Sequence, residues 1–251
     1  MSIATLPTRR DEAWRYADMD GVARLGVDAL DAWQAIDVPA GDNVTRCMIV
    51  GSDAPEIYRF RVNLGEGAQA AFFVTNAGRD YTRVEIEVRL ARGAHFEFGG
   101  VTIGGGKATR EFVTQVVHAE PDATSNQTIR AVHWNTGTGN FLGEIKVARH
   151  AQKTDAAQDF KGLLLEAGAS ANAVPQLEIF ADDVKCAHGA TVGALDEGAR
   201  FYMMARGLDP ATAQRLLVQA FIGDAFVSLE DEVERETLLD AALGALEGAR
   251  L

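Results

Sequence analysis

Val84-Glu85-Ile86-Glu87-Val88-Arg89-Leu90-Ala91-Arg92-Gly93-Ala94 carries the two signals on which the fold reading rests. From Val84 to Leu90 every second side chain is apolar, the period of a strand with one face buried. Glu85 and Glu87, on the other face, are expected to point into solvent. The strand runs into the frame Leu-x-x-Gly-Ala, which recurs at Leu64-Gly65-Glu66-Gly67-Ala68 and Leu165-Glu166-Ala167-Gly168-Ala169. The first two copies start 26 residues apart. That is longer than one hairpin and suits one coil of a stacked β-solenoid, whose repeats run about 20–50 residues. A β-sandwich with similar glycine turns is the competing architecture, because it also spaces short strands by turn signals.

Outward from this stretch, short apolar-alternating runs continue at Cys47–Val50, Phe60–Leu64, Phe96–Phe98, Phe112–Val117, Thr128–Trp134, Gly143–Val147 and Leu177–Phe180. Residues 43–193 therefore read as an all-β core. Residues 1–42 read as short helices or loops, with Trp14, Ala17, Val22, Leu25, Leu30 and Trp33 spread among polar residues. Residues 194–251 read as a helical domain packed close to the β body. Asp209-Pro210 offers an N-cap and a first-turn proline ahead of Leu216, Leu217, Ala220 and Phe221. Ser228 is expected to cap a second helix, with Glu230, Asp231 and Glu232 in its first turn and Leu239, Leu243 and Leu246 behind.

Composition narrows the function classes. The chain has 251 residues, 47% of them hydrophobic, and a formal charge of −12. A core of ordinary size is expected, and the acidic balance disfavours nucleic acid and anionic lipid as partners. There is no uncharged apolar run of about 18 residues, and Arg9, Arg10, Asp11 and Glu12 sit close to the start. Neither a membrane span nor a secretory signal is expected. Cys47 and Cys186 are the only cysteines, too few for a disulfide framework, and they point to the reducing cytoplasm.

Most candidate motifs fail on inspection. Gly104-Gly105-Gly106-Lys107 lacks the phosphate-loop glycine, where Val101 stands, and the following Ser or Thr, where Ala108 stands. It reads as a turn. His95, His118, His133, His150 and His188 show no metal-site spacing, and His133 reads as structural. No Gly-x-Ser-x-Gly elbow is present. The segment around Cys186-Ala187-His188 differs, because it brings a thiol and an imidazole together where the strands end. Both groups bind iron. Lys185 and a charged His188 would favour the thiolate, with Asp182 and Asp183 opposing. Two ligands hold a metal incompletely, which suggests an interface site. A buried cysteine beside a capping histidine is the alternative that spacing alone leaves open.

The block from Ala181 to Gly193, Ala-Asp-Asp-Val-Lys-Cys-Ala-His-Gly-Ala-Thr-Val-Gly, resembles the SufD branch of the SufB/SufD family in the SUF iron–sulfur cluster assembly machinery. Ala151-Gln152-Lys153-Thr154-Asp155-Ala156, Gln158, Leu163-Leu164-Leu165, Leu195-Asp196-Glu197, Phe201-Tyr202 and Ala205-Arg206-Gly207 follow in the family's order. Leu6 to Tyr16 is similar to its opening motif. The chain is much shorter than full-length members, and Ala187 replaces a common serine.

The resemblance implies a right-handed parallel β-helix with a carboxy-terminal helical domain. It implies a noncatalytic scaffold that pairs with SufB through the β-helix and binds the ATPase SufC through its helical end, at Arg206, Gly207, Leu208, Leu217 and Phe221. Cys186 and His188 align with the family's interface positions. They would share a transient cluster or iron with SufB, with no permanently bound cofactor. A homodimer through the same surface, and a stand-alone β-helix acting on carbohydrate, are the alternatives. The second would need rows of aromatics or paired carboxylates, whereas aromatics are 8% of the chain.

Overall fold

The structure, a computed structural model, describes residues 5–246. Strands β1 (Trp33–Val38), β3 (Glu56–Leu64), β5 (Thr82–Leu90), β7 (Thr109–His118), β9 (Thr138–Val147) and β11 (Ser170–Ile179) form one six-stranded sheet. Strands β2 (Asn43–Val50), β4 (Gln69–Asn76), β6 (His95–Gly104), β8 (Thr124–His133), β10 (Asp155–Leu164) and β12 (Lys185–Ala194) form the other. Each strand pairs in parallel with the one two places along the chain. A chain that changes sheet at every turn and returns beside its earlier self is a parallel β-solenoid, and the sandwich is excluded. The solenoid begins at Trp33, inside the segment 1–42 that the sequence reading gives to helices and loops. Of the terminal segments, residues 1–4 and 247–251 lie outside the described residues.

Register explains the repeat. Glu56 pairs with Thr82, and Leu64 lies on Leu90, a spacing of 26 residues. The interval grows until Thr138 pairs with Ser170, 32 residues on. One corner is a column of left-handed residues, Gly41, Gly67, Gly93, Asp122 and Lys153. Their amides donate to the turn one coil further on, Gly67 to the Arg92 carbonyl at 2.8 Å and Gly93 to the Pro121 carbonyl at 3.1 Å. Glycine suits this conformation in the early coils because it carries no Cβ. The third Leu-x-x-Gly-Ala copy is not in this column, since Leu165–Ala169 turns the opposite corner, from β10 to β11.

Between the sheets lie Phe60, Phe72, Phe96, Phe98 and Phe112 with Val84, Ile86, Val88 and Leu90. Outside, the amino-terminal segment crosses the odd-numbered sheet. Trp14, Ala17 and the helix α1 (Met19–Leu30) pack on Tyr81, and the Arg83 guanidinium lies 3.9 Å from the centre of the Trp14 ring. This cover corrects the expectation for Glu85, which is buried and accepts from Arg59 at 3.0 Å and Arg83 at 3.1 Å. Glu87 is half-buried and pairs with Arg61 at 2.8 Å.

The even-numbered sheet is covered by α3 (Pro210–Gly223) and α4 (Glu232–Ala245), and α2 (Glu197–Ala205) packs on α3. Asp209 caps α3 as expected, accepting from the Ala211 and Thr212 amides at 3.1 and 3.0 Å. Its buried stripe, however, is Ala213, Gln214, Val218 and Ile222, while Leu216 and Ala220 are exposed. Asp231, not Ser228, caps α4. The Ser228 hydroxyl donates instead to Glu97 of β6 at 2.7 Å. Gly99 admits the helices: a Cβ there would stand 2.0 Å from the Ala225 carbonyl oxygen. No helix among the described residues is long and apolar enough to cross a membrane.

Candidate functional site

Cys186 and His188 lie on β12, the last strand of its sheet, which pairs with β10 on one side and with no strand on the other among the described residues. Residues two apart in a strand share a face, so both side chains stand on the same side. Cys186 packs partly against the small apolar cluster of Ile145, Val147, Ala151, Ala156 and Ala181. That face is therefore the solenoid's inner one, here at its open end. Of the ten residues of β12 only Cys186 is half-buried; the rest, His188 included, are exposed.

The sequence left the state of the thiol open between Lys185 and His188 on one side and Asp182 and Asp183 on the other, and the structure decides against the thiolate. Burial, and then the negative charge of Asp155, push Cys186 above the ordinary thiol range. Asp155 sits opposite Lys185 in the ladder, while Asp183 is engaged by Lys153. Cys47 is less suited still: burial and the charges of Glu234 and Asp231 push its thiol up to about 11.

Beside His188 in register lies Gln158 of β10, which sequence reasoning used as a family marker and not as a site residue. It is buried, its amide lies against Gly143 of the opposite sheet, and neither amide atom has a hydrogen-bond partner among the described residues. No group of three potential metal ligands occurs among the described residues.

The residues expected at the helical end divide into two sets. Arg206 caps α2 at its carboxy end and lies over the Tyr202 ring at 5.2 Å, with Gly207 beside it in a left-handed turn. Leu208 is half-buried. Leu217 and Phe221 face inward and line a shallow cavity with Thr191, Val192 and Leu195. What spacing did not reveal is that α2 buries none of its residues, leaving Phe201 73% and Tyr202 60% exposed, with Met204 and Leu216 nearby in the same helical unit. Singly scattered exposed apolar residues are ordinary, whereas large contiguous apolar patches are a common feature of interaction surfaces.

Two further histidines, His133 and His118, are buried in the solenoid. His133 is fully buried, its Nδ1 donating to the Gly104 carbonyl at 2.9 Å and its Nε2 accepting from Thr102 at 3.1 Å. Burial and the nearby Arg110 charge hold it down to about 3. His118 shares a hydrogen bond with Ser125 at 2.9 Å, and burial lowers it to about 4.

Residues 40–221 match the family model described as "SUF system FeS cluster assembly, SufBD core domain". The chain belongs to the SufBD family. Within that family it is 38% identical to the iron-sulfur cluster assembly protein SufD of Escherichia coli (strain K12) over 50% of its own length and 30% of the relative's. It is 40% identical to protein ABCI7, chloroplastic, of Arabidopsis thaliana over 45% of its length and 24% of the relative's. With SufD of Bacillus subtilis (strain 168) identity is 30% over 55% of this chain and 32% of that protein. The matches thus span a third or less of these curated SufBD relatives.

Proposed function

We propose that this chain is a SufD-type scaffold subunit for iron–sulfur cluster assembly, pairing with SufB through the open end of its solenoid and binding SufC through its helical end. The observation that carries this reading is the placement of Cys186 and His188 on one face of an unpaired terminal strand. An unpaired edge offers free backbone groups to a neighbouring chain, and Ile179, Phe180 and Val192 add exposed apolar surface on the same coil.

Thiolate and imidazole both ligate iron, yet two ligands fall short of the four that a cluster takes. The missing ligands come from SufB, and the cluster or iron is cargo held between subunits, not a resident cofactor. The raised Cys186 thiol fits this order of events, since it stays protonated until metal arrives and displaces the proton. SufC docks on the exposed aromatics of α2 and the Arg206–Leu208 turn, with Leu217 and Phe221 supporting that surface from within. ATP hydrolysis belongs to SufC, and this subunit contributes position and ligands in the reducing cytoplasm.

His188→Ala in the reconstituted complex tests the ligand role. Cluster formation is expected to fall severely while SufB and SufC still co-purify; unchanged cluster formation would remove the role. A homodimer through β12 is the second reading, favoured by the same exposed edge, and it predicts twice the chain mass in sedimentation of the isolated protein.

A further inference from the structure

The glycine corner Gly104-Gly105-Gly106, which fails as a nucleotide motif, borders an open cavity of about 550 Å³ between the solenoid and the carboxy-terminal end of α4. Arg79, Arg110, Trp134 and Ala245 are among its walls, and among the described residues no Asp or Glu is. In a chain with a formal charge of −12, that is an unusual lining. The volume lies within the range of about 300–1,000 Å³ common to small-molecule sites.

Arg110 is the unexplained group. It is 2% exposed, its Nη2 reaches the Gly105 carbonyl only at 3.4 Å, and its Nε and Nη1 have no acceptor among the described residues. The other deeply buried arginines have acids: Arg83 meets Glu85 at 3.1 Å and Glu111 at 3.2 Å, Arg59 meets Glu85 at 3.0 Å, and Arg130 meets Asp159 at 2.6 Å. For Arg110 burial acts alone among the described residues, pulling it down to about 10. A guanidinium keeps its proton at neutral pH, and a buried one without a counter-charge is costly. His133, neutral and already bonded on both nitrogens, cannot supply that charge.

We propose that this cavity binds the phosphate group of a small metabolite, gripped by Arg110 from within and Arg79 at the rim. A doubly charged tetrahedral oxyanion matches two guanidinium forks in charge and in hydrogen-bond geometry. The glycines keep the corner open: a Cβ at Gly104 would stand 2.2 Å from Arg110 Nη2, and one at Gly105 would stand 2.3 Å from Trp134 Nε1. Two features oppose an anion. Arg79 has a loose exposed contact with Asp53 at 3.3 Å, and the end of α4 brings about half a negative charge from its dipole. Two full guanidinium charges outweigh the dipole, and an ion pair exposed on both sides is readily exchanged.

Calorimetric titration with inorganic phosphate, then with adenosine 5′-monophosphate, tests the site on the full chain. Saturable one-to-one phosphate binding is expected, weakened at least tenfold in Arg79→Ala and lost in Arg110→Met. Tighter binding of the nucleotide would assign the site to phosphomonoesters, and equal or weaker binding to free phosphate. The absence of saturable phosphate binding, or binding unchanged in Arg79→Ala, would overturn the proposal. Arg79 is exposed, so that variant decides even if Arg110→Met fails to fold.

Discussion

Between β3–β7 and β10–β12 one interior ladder of the solenoid changes character, although Phe141 and Phe160 still stack in the later coils. The early coils are filled with aromatics: Phe60 and Phe72 lie 5.5 Å apart, Phe72 and Phe96 6.2 Å, Phe98 and Phe112 5.3 Å. Along the ladder that joins Phe72 to Phe98, the next coils place Gln127, then Gln158, then His188. Gln127 is satisfied in part by the Thr114 hydroxyl at 2.6 Å, Gln158 has no partner among the described residues, and His188 is exposed. The same backbone frame thus carries a sealed apolar column at one end and a polar, unfinished one at the other. Apolar ladders hold the solenoid together; unsatisfied polar groups cost stability and make sense where something else completes them.

This contrast can be broken or sharpened by substitution. Phe98→Ala removes a buried ring from the sealed column and is expected to cost about 3–5 kcal/mol, read from urea unfolding. A loss near zero would erase the distinction between the two ends. The middle coils predict an acid weakness. His118 and His133 are held down to about 4 and about 3 when folded, so between their unfolded value of about 6.5 and those values only the unfolded chain takes up the proton. Their stabilising contribution is complete above about pH 6.5 and declines on acidification, by about 2 kcal/mol per histidine from pH 6.5 to 5. Unfolding free energies at the two pH values check this, and His118→Gln should flatten the slope. At the open end, His188→Ala should change stability by no more than about 0.5 kcal/mol, because the side chain is exposed on an edge.

The solenoid was legible where one face of a strand meets the aromatic column. Val84–Leu90 alternates cleanly because Val84, Ile86 and Val88 face Phe60 and its neighbours, and Leu64 and Leu90 recur at 26 because the register stacks them. Later repeats were hidden by drift of the interval to 32 and by the Leu165–Ala169 frame, which resembles the first two but turns the other corner. Errors arose where a distant segment decides the local outcome. Glu85 is covered by the chain around Trp14, and Ser228 bonds Glu97 across the interface instead of capping its own helix. Cys186 and His188 could be placed together from spacing alone, since strand geometry puts alternate residues on one face. The state of the thiol could not, because what disfavours the thiolate is its burial in the fold and then Asp155 on the neighbouring strand. The cavity at Arg110 left no sequence signal beyond three glycines, since its charge stands out only by the missing acid around it.

The central claim is that the open coil is an interface completed by a partner. Anaerobic co-purification of this chain with SufB and SufC from its own source, measuring stoichiometry, iron and sulfide together, tests it most directly. A stable complex containing all three subunits, whose iron and sulfide fall when Cys186 and His188 are replaced together, is the expected result. A chain that emerges alone and metal-free, ignoring both partners, would contradict it.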